Sequence, residues 1–375
     1  MTDQVPTGQQ SSARKPAGPL RKGWATGACA TAASVAAYQA LMTGEFPDPV
    51  SIQLPGGLSP EFRLHSKKLD PNEASVGIVK DAGDDPDITH GAEIIATVRR
   101  GFAGAGVQFF AGSGVGTVTL PGLPLSVGEP AINPKPREMI SHNLQRVADT
   151  LERTLDVEVT LSIPGGETLA EKTMNGRLGI VGGLSILGTT GIVIPYSCAS
   201  WIHSIHRGID VARAGGLTHV AASTGTTSEN AVRKMYNLPE MALIDMGDFA
   251  GGMLKYLREH PIERLTIAGG VGKLAKLAQG EIDLHSSRSR VDMAALAAGA
   301  EALGADKAIT TLILNANTAM EVSQIARKHG LPLAGRIAAQ AREAALATLS
   351  GGINVDVAVF DRNGGLLANT AVSEP

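Results

Sequence analysis

Cysteine is nearly absent from this chain. Only Cys29 and Cys198 occur among its 375 residues, and no CxxC or Cys/His zinc spacing is present. Two cysteines cannot form the disulfide framework of a small secreted protein, and a structural zinc site needs ligand spacings that this sequence lacks. The composition therefore fits a reducing compartment, and we expect a cytoplasmic location.

Aromatic side chains are also scarce, and the chain has no excess of positive charge. Phe, Trp and Tyr make up 3% of the residues, and 33 Lys and Arg face 36 Asp and Glu, for a net charge of −3. Proteins that bind nucleic acid normally carry a basic surface or aromatic stacking platforms, so no nucleic-acid partner is expected. No uncharged apolar run reaches the ~18 residues of a membrane span, so no membrane role is expected either.

Glycine, by contrast, is abundant, with 45 residues against a usual share of about 7%. The pattern of turns and apolar runs divides the chain into three segments. Residues 1–19 are rich in Gln, Ser and Pro and are predicted to be a disordered tail. Residues 20–175 contain short apolar runs bounded by Gly and Pro, which predict an α+β domain with short antiparallel strands. Residues 176–375 alternate strand-like runs with helical stretches, which predicts a Rossmann-like α/β domain with a parallel sheet.

An acidic segment follows a predicted strand of the first domain. Residues 80–91 read KDAGDDPDITHG and include Asp81, Asp84, Asp87 and His90. Carboxylates beside a histidine raise its pKa and can make it a general base, so these four residues are candidate catalytic residues. The cluster also offers oxygen ligands for Mg²⁺ or Ca²⁺, although its spacing does not match an EF-hand. The simpler alternative is a structural turn in which aspartates accept hydrogen bonds from backbone N–H groups.

Three glycine loops follow strand-like runs in the second predicted domain, at residues 182–191, 223–227 and 269–273. Such bends leave backbone N–H groups available at the carboxyl ends of parallel strands, where cofactors of α/β proteins bind. An acidic residue at a strand end would suit ribose hydroxyls. The candidate cofactor-binding residues are Gly183, Gly188, Thr189, Thr190, Gly191, Gly225, Asp245, Gly270 and Gly272.

Several motifs, far apart along the chain, together resemble one known family. They are residues 21–32 (RKGWATGACATA), 79–91 (VKDAGDDPDITHG), 114–119 (GVGTVT), 128–134 (GEPAINP), 177–183 (RLGIVGG), 185–193 (SILGTTGIV) and 272–280 (GKLAKLAQG), followed by His285 and Ser286. From about Leu20 to Thr370 the sequence resembles the cobalt-precorrin-5B C1-methyltransferase family of cobalamin biosynthesis, called CbiD. Two places depart from the pattern expected of that family. Trp24-Ala25 replaces a Tyr-Thr pair, and Ser223 to Thr227 replace a Pro-Gly-Asn-type turn.

The resemblance implies an enzyme that uses S-adenosyl-L-methionine to methylate C1 of cobalt-precorrin-5B, giving cobalt-precorrin-6A and S-adenosylhomocysteine. The cobalt belongs to the tetrapyrrole substrate, so no protein-bound metal is predicted. His90, among aspartates, is then the candidate proton acceptor. Because the tetrapyrrole bears many carboxylates, basic residues are candidate substrate ligands. These are Arg21, Lys22, Lys135, Arg137, Arg177 and Lys273.

Two other functions stay open from the sequence alone. A Rossmann-like oxidoreductase or nucleotide-using enzyme has similar glycine loops, but here no G-x-G-x-x-G opens a βαβ unit and no Walker A pattern occurs. A non-catalytic tetrapyrrole carrier is the second alternative, against which the Asp/His segment argues weakly. The sequence also leaves open whether the chain forms a homo-oligomer, and whether the tetrapyrrole arrives free or is handed over by a neighbouring cobalamin-pathway enzyme.

Overall fold

The computed structural model describes residues 18–371, so nearly all of the tail predicted at residues 1–19 lies outside the described residues. The chain forms two compact units, Met1–Cys198 and Ala199–Pro375. This boundary falls later than the one expected after residue 175. Residues 180–193 belong to the first unit because their short strands pair with strands that precede residue 120.

The first unit is built on one five-stranded sheet, with several two-stranded pairs beside it. Its helices are α1 (Thr26–Thr43), α2 (Pro134–Thr150) and α3 (Gly166–Ala170). Its strands are β1 (Gly23–Trp24), β2 (Val50–Ser51), β3 (Glu61–Phe62), β4 (Ser66–Leu69), β5 (Glu73–Val79), β6 (Glu93–Arg100), β7 (Val107–Ala111), β8 (Gly114–Val115), β9 (Thr117–Val118), β10 (Val157–Ser162), β11 (Ile180–Val181), β12 (Gly183–Leu184) and β13 (Ile192–Val193).

Helix α1 lies in the middle of this unit, between the sheet and helix α2. Alanine fills seven of its 18 positions, and its residues are buried on every side from Thr26 to Ala37. A helix that is apolar all round is stable only inside a core, and small side chains let the neighbouring backbones approach closely. The large buried side chains around it come from the sheet and from α2, including Ile78, Ile94, Ile140 and Leu161.

The sheet of the first unit has the strand order β4-β5-β6-β10-β7. Its pairs are antiparallel, as the sequence predicts, with one exception: β7 runs parallel to β10. The expectation of a purely antiparallel sheet is therefore wrong at this edge. Between β7 and β10 the chain passes through α2, and a connection of that length allows the next strand to return in the same direction.

The second unit contains a sheet of order β15-β14-β16-β17-β18 with helices on both faces. Strands β14 to β17 are parallel, as predicted, and β18 runs antiparallel to β17 in a terminal hairpin. The strands are β14 (His219–Ser223), β15 (Leu243–Asp245), β16 (Arg264–Gly270), β17 (Asn354–Phe360) and β18 (Leu366–Asn369). The helices are α4 (Cys198–Ala214), α5 (Thr226–Tyr236), α6 (Ala250–Glu259), α7 (Val271–Ala278), α8 (Met293–Glu301), α9 (Lys307–Leu314), α10 (Ala319–Lys328) and α11 (Leu333–Leu349).

Alternate residues of these strands face two different cores. Ala221, Leu243 and Ala268 lie with helix α5 in a smaller cluster. Their neighbours Val220, Ile244 and other strand residues face the larger cluster of α6, α7 and α11. This near-continuous apolar character is typical of parallel strands buried on both faces. In residues 18–371, no helix combines the length and apolarity needed to cross a membrane.

Candidate functional site

A pocket of about 250 Å³ opens in the second unit at the carboxyl ends of β14, β16 and β17. Helix α5, which follows β14, packs on one face of the sheet, and α7, which follows β16, packs on the other. Loops that leave adjacent strands toward opposite faces separate, and a crevice opens between them. The lining residues are Thr224, Gly225, Thr226, Thr227, Ser228, Gly270, Lys273, Met320, Phe360, Asp361 and Arg362.

Two of the predicted cofactor residues, Gly225 and Gly270, line this pocket and form the N-caps of α5 and α7. A Cβ atom built on either glycine would meet no atom within 4 Å. The glycines therefore leave open space beside the first turns of two helices. Those first turns carry backbone N–H groups that have no partner inside the helix, and they favour negatively charged ligand groups.

Lys273 also lines the pocket and is held in place by its own unit. Its Nζ donates to a carboxylate oxygen of Asp248 and, at 3.1 Å, to the carbonyl of Leu284. These two hydrogen bonds fix the position of the Lys273 ammonium group. A side chain predicted to bind tetrapyrrole carboxylates lies instead beside two glycines predicted to bind the cofactor.

The remaining cofactor candidates of this unit lie next to the pocket rather than in its lining. Asp245 ends β15, directly opposite Ser223 in the pairing with β14, and its carbonyl accepts a hydrogen bond of 3.1 Å from Trp201 Nε1. Gly272 lies in the first turn of α7. A Cβ atom built on this glycine would lie 4.0 Å from the Cβ atom of Ala319. Ser223 is fully buried, and its Oγ has no hydrogen-bond partner among the described residues.

The other predicted cofactor residues belong to the first unit, in or next to β12 and β13. A Cβ built on Gly183 would lie 2.3 Å from the backbone of Gly114, and one on Gly188 would lie 2.4 Å from the Ala25 side chain. Gly191 has a φ of +81° and faces Leu54. These glycines are therefore required by close packing. Thr189 and Thr190 are exposed beside them.

The acidic segment lies between β5 and β6 and is organised around Lys80. This lysine is 1% exposed, and its Nζ donates to a carboxylate oxygen of Asp87 and, at 2.6 Å, to Thr89 Oγ1. Asp87 also accepts the backbone N–H of Thr89 at 2.8 Å. Burial by itself would raise the pKa of Asp87, but the Lys80 ammonium and these hydrogen bonds outweigh burial and hold that pKa below its usual value.

Asp81 and Asp84 connect the same loop to the segment before α1. Arg21 forms a two-point ion pair with Asp81, at 2.5 and 2.8 Å, and its backbone N–H donates to Asp84 at 2.6 Å. The hydrogen bonds from Arg21 and from the Gly83 backbone lower the pKa of Asp81 to about 2. Gly83, at a φ of +68°, fits against the Arg21 carbonyl, where a Cβ would lie 2.2 Å from the oxygen. Asp81, Asp84 and Asp87 thus all hold the loop in its shape.

His90 and Asp85 each accept one hydrogen bond from a backbone N–H group. His90 is exposed, and its Nδ1 accepts the backbone N–H of Ala82 at 3.1 Å, so the neutral ring carries its proton on Nε2. Asp85, which the sequence reading did not select, accepts the backbone N–H of Tyr196 at 2.8 Å through Oδ1. Partial burial raises the pKa of Asp85, and the nearby Asp87 charge adds to that effect. Nothing in the sequence distinguishes this aspartate from its three neighbours.

Several of the predicted substrate-binding basic residues of the first unit are held by groups near them in the fold. Arg137 is bound to the loop before α2, donating to the carbonyl of Ile132 at 2.8 Å and to Glu129 at 3.3 Å. Lys135 pairs with Glu138 on the exposed face of α2. Lys22 is exposed beside Arg21, and Arg177 is half-buried.

Comparison with known proteins gives a consistent result over almost the whole chain. A family model described as CbiD matches residues 13–195, and one described as the CbiD C-terminal domain matches residues 283–371. The cobalt-precorrin-5B C(1)-methyltransferase of Paramagnetospirillum magneticum is 59% identical over 351 residues, which cover 93% of this chain and 98% of that protein. That of Brucella anthropi is 58% identical over 350 residues, covering 93% of this chain and 95% of that protein. A crystal structure of a cobalamin biosynthesis protein (CbiD) from Archaeoglobus fulgidus is 28% identical, with a TM-score of 0.40, and covers 72% of this chain and 83% of that chain.

Proposed function

Because the chain belongs to the CbiD family of cobalt-precorrin-5B C(1)-methyltransferases, we propose that it transfers a methyl group from S-adenosyl-L-methionine to C1 of cobalt-precorrin-5B. The products are cobalt-precorrin-6A and S-adenosylhomocysteine. The observation that carries the proposal is the identity of 59% over 93% of the chain. It favours a methyltransferase over the oxidoreductase and carrier alternatives that the glycine loops left open.

The methyl donor binds in the pocket of the second unit, at the carboxyl edge of a Rossmann-like sheet. The donor is an adenosine joined to an amino acid, so it needs a cationic partner for its carboxylate, hydroxyl or acidic partners for its ribose, and room for a planar base. Lys273, Thr226, Thr227 and Asp361 supply the polar groups, and the glycines leave the room. The unpartnered Ser223 Oγ beneath the loop suits a site that gains a polar partner when filled. The residues present therefore fit the donor.

The donor supplies an electrophilic methyl group, and the chain's own residues position the reactants and accept a proton. Most of the acceleration of a methyl transfer comes from aligning the nucleophilic carbon with the breaking S–CH₃ bond and from excluding water. We assign the proton acceptor to the loop of residues 80–91, with His90 and Asp85 as its two candidates. His90 must accept at Nδ1 and give up the Ala82 hydrogen bond, whereas Asp85 has a second oxygen and a raised pKa.

The carboxylates of the tetrapyrrole are bound by basic residues of the first unit. Lys22 is a stronger candidate than Arg21 or Arg137, because those two arginines are already held by Asp81 and by the loop before α2. A substrate carboxylate that recruited Arg21 would have to displace Asp81. Substrate binding should weaken as salt rises, since exposed charges are screened over about 8 Å at physiological ionic strength.

The experiment is turnover of purified protein with cobalt-precorrin-5B and methyl-labelled S-adenosyl-L-methionine. We expect one labelled methyl group per macrocycle, located at C1 by carbon NMR, with stoichiometric S-adenosylhomocysteine. Label at another carbon, or tight product retention without turnover, would contradict the proposed activity. Binding of S-adenosylhomocysteine by calorimetry tests the donor separately, with NADH and ATP as the controls for the oxidoreductase and nucleotide-using alternatives.

A further inference from the structure

The two edges of the five-stranded sheet in the first unit differ in character. One edge is β4, with the sequence SKKL, whose two adjacent lysines lie on an exposed strand. The other is β7, with the sequence VQFFA, which has no charge and no proline and pairs with β10 in unbroken register. Proteins protect exposed edges with charges, prolines or bulges, because a bare edge attracts another strand. The β4 edge is protected in this way and the β7 edge is not.

The backbone of β7 presents hydrogen-bonding groups to its open side. Val157 donates to the carbonyl of Gly106 at 2.9 Å, and Gly112 donates to the carbonyl of Leu161 at 2.8 Å. Residues alternate in a strand, so the even-numbered residues of β7 bond to β10. The N–H and C=O groups of Val107, Phe109 and Ala111 therefore point away from it. Over residues 18–371 the structure gives these outward groups no hydrogen-bond partner.

The side chains of β7 divide in the same way. Val107 and Phe109 pack against the core, and the Arg137 guanidinium lies 5.6 Å from the centre of the Phe109 ring. Gln108 and Phe110 lie on the opposite face of the sheet and are exposed, Phe110 by 43%. The open edge thus combines unpaired backbone with an exposed aromatic ring, and it carries no charge that would repel an identical strand.

We propose that a second copy of this chain covers this edge, with β7 pairing antiparallel to the β7 of its partner across a two-fold axis. With the axis at Phe109, Val107 lies opposite Ala111 of the other copy, and every outward N–H and C=O group is paired. Gln108 then lies opposite Phe110, in the closely spaced position where side chains cover one another. A symmetric dimer uses the same surface on both chains, so that surface must be complementary to itself. An uncharged strand meets this requirement because two copies of it do not repel each other. The β4 edge would bring its lysines together.

The test is analytical ultracentrifugation of the full chain at micromolar concentrations, comparing it with three variants. Ala111→Pro removes an outward N–H that the folded chain does not use, and proline is tolerated at that side of an edge strand. Phe110→Lys places two lysines at diagonal positions ~7–8 Å apart across the axis, where their like charges repel. Leu69→Lys is the matched control, because Leu69 is an apolar residue of the opposite edge and is 40% exposed.

We expect the wild-type chain and Leu69→Lys to sediment as dimers. Ala111→Pro and Phe110→Lys should raise the dimer dissociation constant by at least about tenfold, with a circular dichroism spectrum at 25 °C that matches the wild type. A monomeric wild-type chain overturns the proposal, and so does a dimer that folded Phe110→Lys leaves intact. Loss of dimer in Leu69→Lys as well would also overturn it, because the contact would then not be specific to β7.

Discussion

At the scale of single residues, the acidic loop shows why composition alone does not identify a catalytic group. Four aspartates and a histidine lie within a few positions, but Asp81, Asp84 and Asp87 each accept hydrogen bonds that hold the loop in place. The structural turn is therefore the better description of those three residues. Asp85 and His90 keep hydrogen-bonding capacity that the fold does not use. The role of every residue in this loop in catalysis stays a prediction.

The proton acceptor can be found by comparing three loop variants. Loss of a general base lowers kcat by about 10²–10⁴-fold, so we expect one of Asp85→Asn and His90→Gln to show that loss with S-adenosylhomocysteine binding unchanged. Asp84→Asn is the matched control, because this carboxylate accepts the Arg21 N–H and so holds the loop in place. If Asp85 is the acceptor, the low-pH limb of the kcat profile should lie above the usual carboxyl range, since its pKa is raised. Near wild-type turnover by all three variants would exclude the loop from the mechanism.

The buried pair of Lys80 and Asp87 should dominate the stability of this loop. Asp87→Ala leaves an ammonium that is 1% exposed without its counter-charge, and breaking a buried pair in this way costs about 3–5 kcal/mol. Asp70→Ala removes the partner of the exposed Lys68, and such surface pairs contribute less than about 1 kcal/mol. Urea unfolding of both variants measures the difference. Similar small losses in the two proteins would show that water reaches Lys80.

At the scale of helices and strands, much of the second unit follows from periodicity. The sequence predicts a helix over Cys198 to Ala214 and a strand over His219 to Ser223, and the structure has both with these bounds. It did not predict α8 to α11. In α8 and α11 the alanine-rich sequence gives little contrast between the apolar and polar positions that mark a helix face. Helices α9 and α10 do have an apolar face, which the sequence analysis missed. Nor could it predict that β7 and β10 are parallel, since strand direction depends on the path of the intervening chain.

The pocket formed by the β14–α5 and β16–α7 loops gives a prediction at this scale. Gly225→Leu and Gly270→Leu should each raise the dissociation constant for S-adenosylhomocysteine at least tenfold, or about 1.4 kcal/mol, because the new side chain occupies space that is now open. Both glycines have extended backbone angles that leucine adopts, so the melting temperature should change little.

Gly335→Leu in helix α11 is the control for these variants. A Cβ at Gly335 also meets no atom within 4 Å, but the residue is not part of the pocket lining. Calorimetric titration of the three proteins measures the effect. Equal affinities in all three would place the donor elsewhere and would leave the methyltransferase activity itself untouched.

At the scale of the whole molecule, each of the two units contains a large hydrophobic core of its own. The first unit contains carboxylates with lowered pKa values, Asp81 at about 2 among them. The unfolded chain therefore binds more protons than the folded one between about pH 4 and pH 2. The stabilisation from these groups is complete above this range and is lost as the pH falls through it.

Trp24 and Trp201 allow the two units to be followed separately, because one lies in each. In a Trp201→Phe background, the fluorescence of Trp24 reports on the first unit, where its ring lies 5.4 Å from that of Phe62. We expect its urea midpoint to fall between pH 4 and pH 2, and to fall less steeply when Asp81→Asn is added. An identical slope in the two proteins would mean that the pKa of Asp81 does not change on unfolding.

The pairing of β1 with β13 has a consequence for biosynthesis. Gly23 and Trp24 form the first strand that the structure describes, yet their partners Ile192 and Val193 are the last strand of the same unit. Domains usually fold as units during translation, with the N-terminal one first. Here strand β1 of the nascent chain cannot pair with β13 until residue 193 has emerged from the ribosome. A ribosome that pauses between residues 175 and 193 would hold an unfinished first unit, and such pauses would expose it to chaperones and proteases.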